Sequence, residues 1–178
     1  QIDIPHKFAL AGSWDLPIGK GRPWGGNMSK GLDYLVGGWQ FNFDVTYQSG
    51  WVADHPNAKQ AKDGSPSLGS EATFGRYFNT SLWDDANGRR VAAQEPFTLR
   101  DFPTRFSDVR VPGYRNWDAS IAKYFPLTEK VRLQFRMEMI NAMNHPWYAN
   151  LAAGATDVTR ATFGQLDPTQ RNLPRFVK

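Results

Sequence analysis

The stretch Lys130–Pro146, KVRLQFRMEMINAMNHP, constrains the chain most. Its first half alternates strictly: Val131, Leu133, Phe135, Met137 and Met139 are apolar, and Arg132, Gln134, Arg136 and Glu138 between them are polar. A period of two is that of a β-strand with one apolar and one wet face. A helix would place Arg132, Leu133 and Arg136 on overlapping faces and bury charge. The apolar face must meet something apolar. In a soluble sandwich that partner is a second sheet. In an outer-membrane barrel it is lipid, and the polar face lines the lumen.

The rest of the chain repeats the pattern at intervals. His6–Leu16 alternates, with Phe8, Leu10, Trp14 and Leu16 on one face and Gly12 interrupting it. A Gly-rich connector follows, polar except for DYLV, where residues 33–36 read as one helical turn. Trp39–Gln48 is the cleanest alternation. Trp39, Phe41, Phe43, Val45 and Tyr47 face one way, and Gln40, Asn42, Asp44, Thr46 and Gln48 the other. Its length is what a tilted strand needs to cross a bilayer, and its terminal aromatics stand where girdles lie. Trp117–Phe125 is a third strand, with Asp118, Ser120 and Ala122 inward. Lys123 falls outward, near the strand end, within snorkelling reach of headgroups. The run PLTE reads as a tight turn into a fourth strand over 130–141, and a last strand begins at 175.

Two connections, 49–112 and 144–174, are long and lack a sustained period. The first holds an aromatic patch, FGRYFNTSLW, expected to pack on something; the second has a helical possibility near Ala152. Long connections are unusual inside a compact soluble domain. Barrels sort their connections by side, with short periplasmic turns and long extracellular loops.

Composition narrows the classes further. Aromatics reach 14%, and 16 Gly with 12 Pro argue against long helices. No run reaches the ~18 apolar residues of a transmembrane helix, an absence that leaves a barrel open. The net charge of +4 is small and its basic residues are interleaved with apolar ones, which does not suggest nucleic acid. Without cysteine there is no disulfide, thiolate nucleophile or cysteine metal site. The chain opens QIDIPHKF and closes NLPRFVK, and reads as a segment of a longer protein.

No catalytic constellation can be assembled. His6, His55 and His145 are scattered without ligand spacing. Asp54, His55 and Asp63 form at most a minor loop site for metal or sugar, and Asp84 and Asp85 suit a turn. Ser13, Ser49 and Ser120 lack a nucleophile-elbow context, and GKGRPWGG is no phosphate loop. The expectation is a chain that is not an enzyme, with no catalytic, cofactor-binding or metal site.

The run VPGYRNWDASIAKYFPLTEKVRLQFRMEMINAMNHPWY resembles the end of the barrel of Oar-like TonB-dependent outer-membrane receptors. DIPHKFALAGSWDLPIGKGR, GGWQFNFDVTYQSGW and GRYFNTSLW match the same family in order. The resemblance implies a transporter barrel of about 22 strands with a plug. Its partners would be the outer-membrane bilayer, the remaining barrel and plug, TonB acting through that plug, and an unidentified ligand.

The expected fold is therefore all-β. It is an antiparallel meander of long amphipathic strands, an incomplete part of a transmembrane β-barrel with long extracellular loops. Gln40, Asn42, Asp44, Arg132, Gln134, Arg136 and Glu138 are the lumen-facing candidates. Trp39, Phe41, Phe43, Tyr47, Leu133 and Phe135 are the lipid-facing candidates. The alternative is a soluble all-β binding module, such as a carbohydrate-binding sandwich.

Overall fold

The structure is a computed structural model describing residues 3–128 and 130–178. The chain divides into two compact units. One, the sheet unit, is built from Lys7–Tyr47, Arg115–Pro146 and Asn172–Lys178. The other, the loop unit, is built from residues near His6, from Gln48–Tyr114 and from Trp147–Arg171. No described helix is long and apolar enough to cross a membrane.

The sheet contains β1 (Lys7–Asp15), β2 (Trp39–Gln48), β5 (Tyr114–Pro126), β6 (Arg132–Ile140) and β7 (Phe176–Val177), in the order β1-β2-β5-β6-β7. It is open, with β1 and β7 at its edges. β5 and β6 pair antiparallel from Ala119↔Met139 to Pro126↔Arg132, and β6 pairs with β7 through Ile140↔Phe176. The amide of Leu16 donates to the Trp39 carbonyl, so β1 ends beside the start of β2. β2 runs opposite to β5, since the end of β2 at Tyr47 meets Trp117 and its start at Trp39 meets Lys123, so the sheet is an antiparallel meander. The connection from β1 to β2 and the β5–β6 turn lie at one end of the sheet. The two long connections leave and rejoin the strands at their other ends.

Strand bounds shift slightly from the sequence pattern. β5 begins three residues early, directly after Gly113, because backbone pairing continues past the point where Arg115 and Asn116 break the alternation. Of the tight turn, Glu129 lies outside the described residues, but the Thr128 hydroxyl accepts from the Val131 amide at 3.0 Å. The helical turn over 33–36 is a longer helix, α1 (Lys30–Val36), because the Ser29 hydroxyl caps it by accepting from the Leu32 amide.

Parity sets the two faces. On the apolar face Trp39 meets Phe135 edge to face at 6.5 Å, and Trp117 donates from Nε1 to the Tyr47 hydroxyl at 2.7 Å. Gly12 interrupts the apolar row of β1 for a steric reason: a Cβ there would stand 2.6 Å from the tip of the Phe43 ring. Lys123 does not snorkel outward. It is buried, donates to the Gly37 carbonyl and lies 5.2 Å from the Trp39 ring and 5.0 Å from Phe125. Gly37 ends α1, and a helix C-terminus attracts a cation, so the ammonium is satisfied inside the protein.

In the loop unit the long connections carry their own structure. β3 (Val52–Asp54) pairs with β4 (Arg105–Arg110), and short 3₁₀ turns cover Gly69–Glu71 and Thr80–Trp83. Phe78, Leu82, Trp83, Phe106, Val109 and Phe163 form a buried cluster. The aromatic patch thus supplies a core. Phe78, Trp83, Phe106 and Phe163 meet mostly edge to face at 5.1–6.1 Å, a geometry favoured by the ring quadrupole. Trp83 is fully buried and its Nε1 donates to the Ala58 carbonyl at 2.9 Å. No helix forms near Ala152. Gly154, at φ +77°, breaks the backbone there, and successive short turns run through Arg160.

Candidate functional site

Two surfaces of the sheet can carry function, the polar face and the apolar face. The polar face is cross-linked strand to strand. Gln40 Nε2 donates to Asp15 at 3.0 Å, Asn42 Nδ2 to the Ser120 hydroxyl at 3.2 Å, and Gln134 Nε2 to the Tyr124 hydroxyl at 3.1 Å. Arg136 Nε lies 2.9 Å from Glu138 Oε1. The three hydrogen bonds are cross-strand pairs, the sheet analogue of a side-chain pair on one helix face, while Arg136–Glu138 runs along β6.

A groove of about 240 Å³ opens on this face, lined by Asn42, Asp44, Asp118, Ser120, Arg136 and Glu138 among others. It brings together four of the seven polar candidates. Gln40, Gln134 and Arg132 do not line it. Three carboxylates face one guanidinium, so the groove is locally negative although the chain is basic. Asp118 and Ser120 complete it. Both lie on the inward side, as their alternation predicts, and the β5–β6 register sets Ser120 opposite Glu138.

Asn141 closes the end of this face. It is fully buried in the left-handed region at φ +48°, which Asn tolerates better than most residues. Its amide donates to Asp118, its side-chain nitrogen to the carbonyls of Leu173 and His145, and its side-chain oxygen accepts from the His145 amide.

The apolar face carries the six apolar candidates, Trp39, Phe41, Phe43, Tyr47, Leu133 and Phe135. Phe41 and Phe43 stack at 6.0 Å. Phe8, Trp14, Leu133 and Phe135 all remain about half exposed. Large apolar side chains are left uncovered across several strands, whereas Phe78, Trp83, Phe106 and Phe163 of the loop unit are buried.

The loop unit has its own polar sites. His55 is buried against Trp83, Phe102 and Phe106, and its Nδ1–H donates to the Pro56 carbonyl at 3.0 Å. Burial lowers its pKa, Arg100 lowers it further, and the Pro56 bond opposes them. Asp54 pairs with Arg105, while Asp63 lies with His55 around a separate cavity. Among the described residues no three His, Cys, Asp or Glu side chains are grouped to hold a metal. Asp85 takes the amides of Asn87 and Arg89, which is turn geometry. The Thr159 amide and hydroxyl and the Asn57 side chain pull Asp157 down to about 2. Burial pushes the Tyr77 phenol up to about 12, so it remains a donor, to the Arg110 carbonyl.

The open meander, the two-faced strands and the sorted connections are those of a barrel wall. The family model described as outer membrane beta barrel domain matches residues 1–178. No curated protein and no solved structure matches the chain. The chain belongs to the outer membrane beta barrel domain family, and its environment is the lipid bilayer of the outer membrane.

Proposed function

We propose that this chain forms part of the barrel wall and outer loops of a TonB-dependent transporter of the Oar-like kind. The observation that carries the membrane-wall part is the apolar face. Phe8, Trp14, Leu133 and Phe135 stand half exposed on a sheet whose opposite face is hydrogen-bonded strand to strand. In water an apolar surface of that extent is a liability; in lipid it is the expected exterior. On this reading Trp39, Phe41, Phe43, Tyr47, Leu133 and Phe135 face lipid. Gln40, Asn42, Asp44, Arg132, Gln134, Arg136 and Glu138 face the lumen.

The role is passage rather than catalysis. Five strands are fewer than the eight of the smallest barrels, so further strands must complete the wall. The long connections, sorted to one end and folded around an aromatic core, suit outer loops that present a ligand surface. TonB would act through a plug outside this chain, as the sequence resemblance implies.

Two experiments separate the parts of the proposal. Phe43→Arg in the full-length protein should cost about 2–4 kcal/mol near the midplane and impair insertion. Normal assembly of that variant would sink the lipid-facing assignment. Cross-linking of full-length protein to TonB in cells tests the transporter. No adduct under energised conditions would remove TonB while leaving the wall.

A further inference from the structure

We infer that α1 is a membrane-interface helix whose outer arc, Leu32, Leu35 and Val36, rests in the lipid at the short-connection end of the sheet. The inference rests on the reading that the apolar face meets lipid, and extends the membrane contact to an element outside the strands.

The helix presents the wrong surface for water. Leu32, Leu35 and Val36 stand at i, i+3 and i+4, which gathers them on one arc. They are 50%, 66% and 38% exposed, and nearby Trp24 is 62% exposed. The one acid of the helix is turned away from that arc. Asp33 accepts from the Lys20 amide at 2.6 Å, inside the connector. A helix of seven residues is marginal on its own in water and needs an apolar surface against it.

That surface is continuous with the apolar face of the sheet. Tyr34 packs on Phe125 at 5.2 Å, Trp39 Nε1 donates to the Leu35 carbonyl at 3.4 Å, and Lys123 donates to the Gly37 carbonyl. Phe125, Trp39 and Lys123 all belong to the apolar face by parity, so the arc extends that face beyond the strand ends. Tyr34 and Trp39 stand at that end, with Trp24 exposed in the same connector, and amphipathic rings favour the headgroup level. Lys20 and Lys30 are exposed in the same segment and suit anionic headgroups. Continuity and charge both commit the occupant to phospholipid.

The test uses the full-length protein in vesicles of phosphatidylethanolamine and phosphatidylglycerol. Spin labels at Leu35→Cys, Lys30→Cys and Leu133→Cys, each the sole cysteine, are read by collision with oxygen and with a water-soluble nickel chelate. The Leu35 label should collide severalfold more with oxygen than with nickel, as the Leu133 label does, and the Lys30 label should show the reverse. A Leu35 label as nickel-accessible as Lys30, with Leu133 still in lipid, overturns the inference and leaves the wall reading standing. Shielding of Leu35 from both reagents overturns it in favour of a protein partner. Nickel access at Leu133 itself would defeat the wall reading and this inference with it.

Discussion

The backbone amide of Asn141 donates to Asp118 Oδ1 at 2.8 Å, tying the exit of β6 to the polar face of β5. Around that bond a single buried side chain serves two carbonyls and one further amide. Asn141→Ala would leave the Leu173 carbonyl and the His145 amide unpaired, while the His145 carbonyl keeps its bond from Asn172, and would place a less tolerant residue at positive φ. We expect a loss of about 2–3 kcal/mol. Urea unfolding of the full-length protein from vesicles checks it, and an unchanged midpoint would show that these bonds do not hold the strand end.

Trp83→Ala removes the centre of the loop-unit core and should cost about 3–5 kcal/mol there. Trp83→Phe keeps most of the volume but leaves the Ala58 carbonyl unpaired, at about 1–3 kcal/mol. Limited proteolysis is the readout. Cleavage should rise within 49–113 and 147–171 while the strands stay protected. Equal protection in both variants would mean that the aromatic cluster does not hold these connections.

His55 gives the loop unit a pH dependence of known sign. Its folded pKa lies below the ordinary 6.5 because burial disfavours the imidazolium. Below pH ~6.5 the unfolded chain binds a proton that the folded chain resists, so stability falls as pH drops through that value towards the lower folded pKa. Above it the contribution is complete. His55→Phe, which fits among three aromatic rings, should flatten the slope in that window. A slope unchanged by the substitution would assign the dependence to another group.

Labelling along β2 tests the two faces directly. Cysteines at Gln40, Asn42 and Asp44 should react with a water-soluble maleimide in the assembled full-length protein, and those at Phe41 and Phe43 should not. The Arg136–Glu138 pair is half exposed, so Glu138→Gln should shift stability by at most about 1 kcal/mol. Uniform reactivity along β2 would contradict the lumen and lipid assignment.

Much of the sheet was legible because a strand with unlike faces writes its period into the sequence. Trp39–Gln48 alternates without a break and forms β2 over those residues. Lys123 was harder to read. Parity puts it outward, but its partner is a carbonyl of α1, 86 residues earlier, and no local pattern reports so distant a bond. The loop core was hidden for a similar reason. Phe78, Trp83, Phe106 and Phe163 share no period, since they come from separate short pieces, with Phe106 in β4, Trp83 in a 3₁₀ turn and the other two in turns and bridges. Alternation alone put Asp118 and Ser120 inward, but that Ser120 stands opposite Glu138 follows only from the register of β5 on β6.

The cluster around Trp83 also bears on the order of folding. Phe163 comes from the connection between β6 and β7, while Phe78, Trp83 and Phe106 come from the one between β2 and β5. Neither segment can complete the cluster alone, and the entropy of closing so large a loop is lost before its contacts are gained. Packing of the cluster is therefore a late, non-local step. Ring burial should lag behind strand pairing in time-resolved tryptophan fluorescence, giving the outer loops a clock of their own.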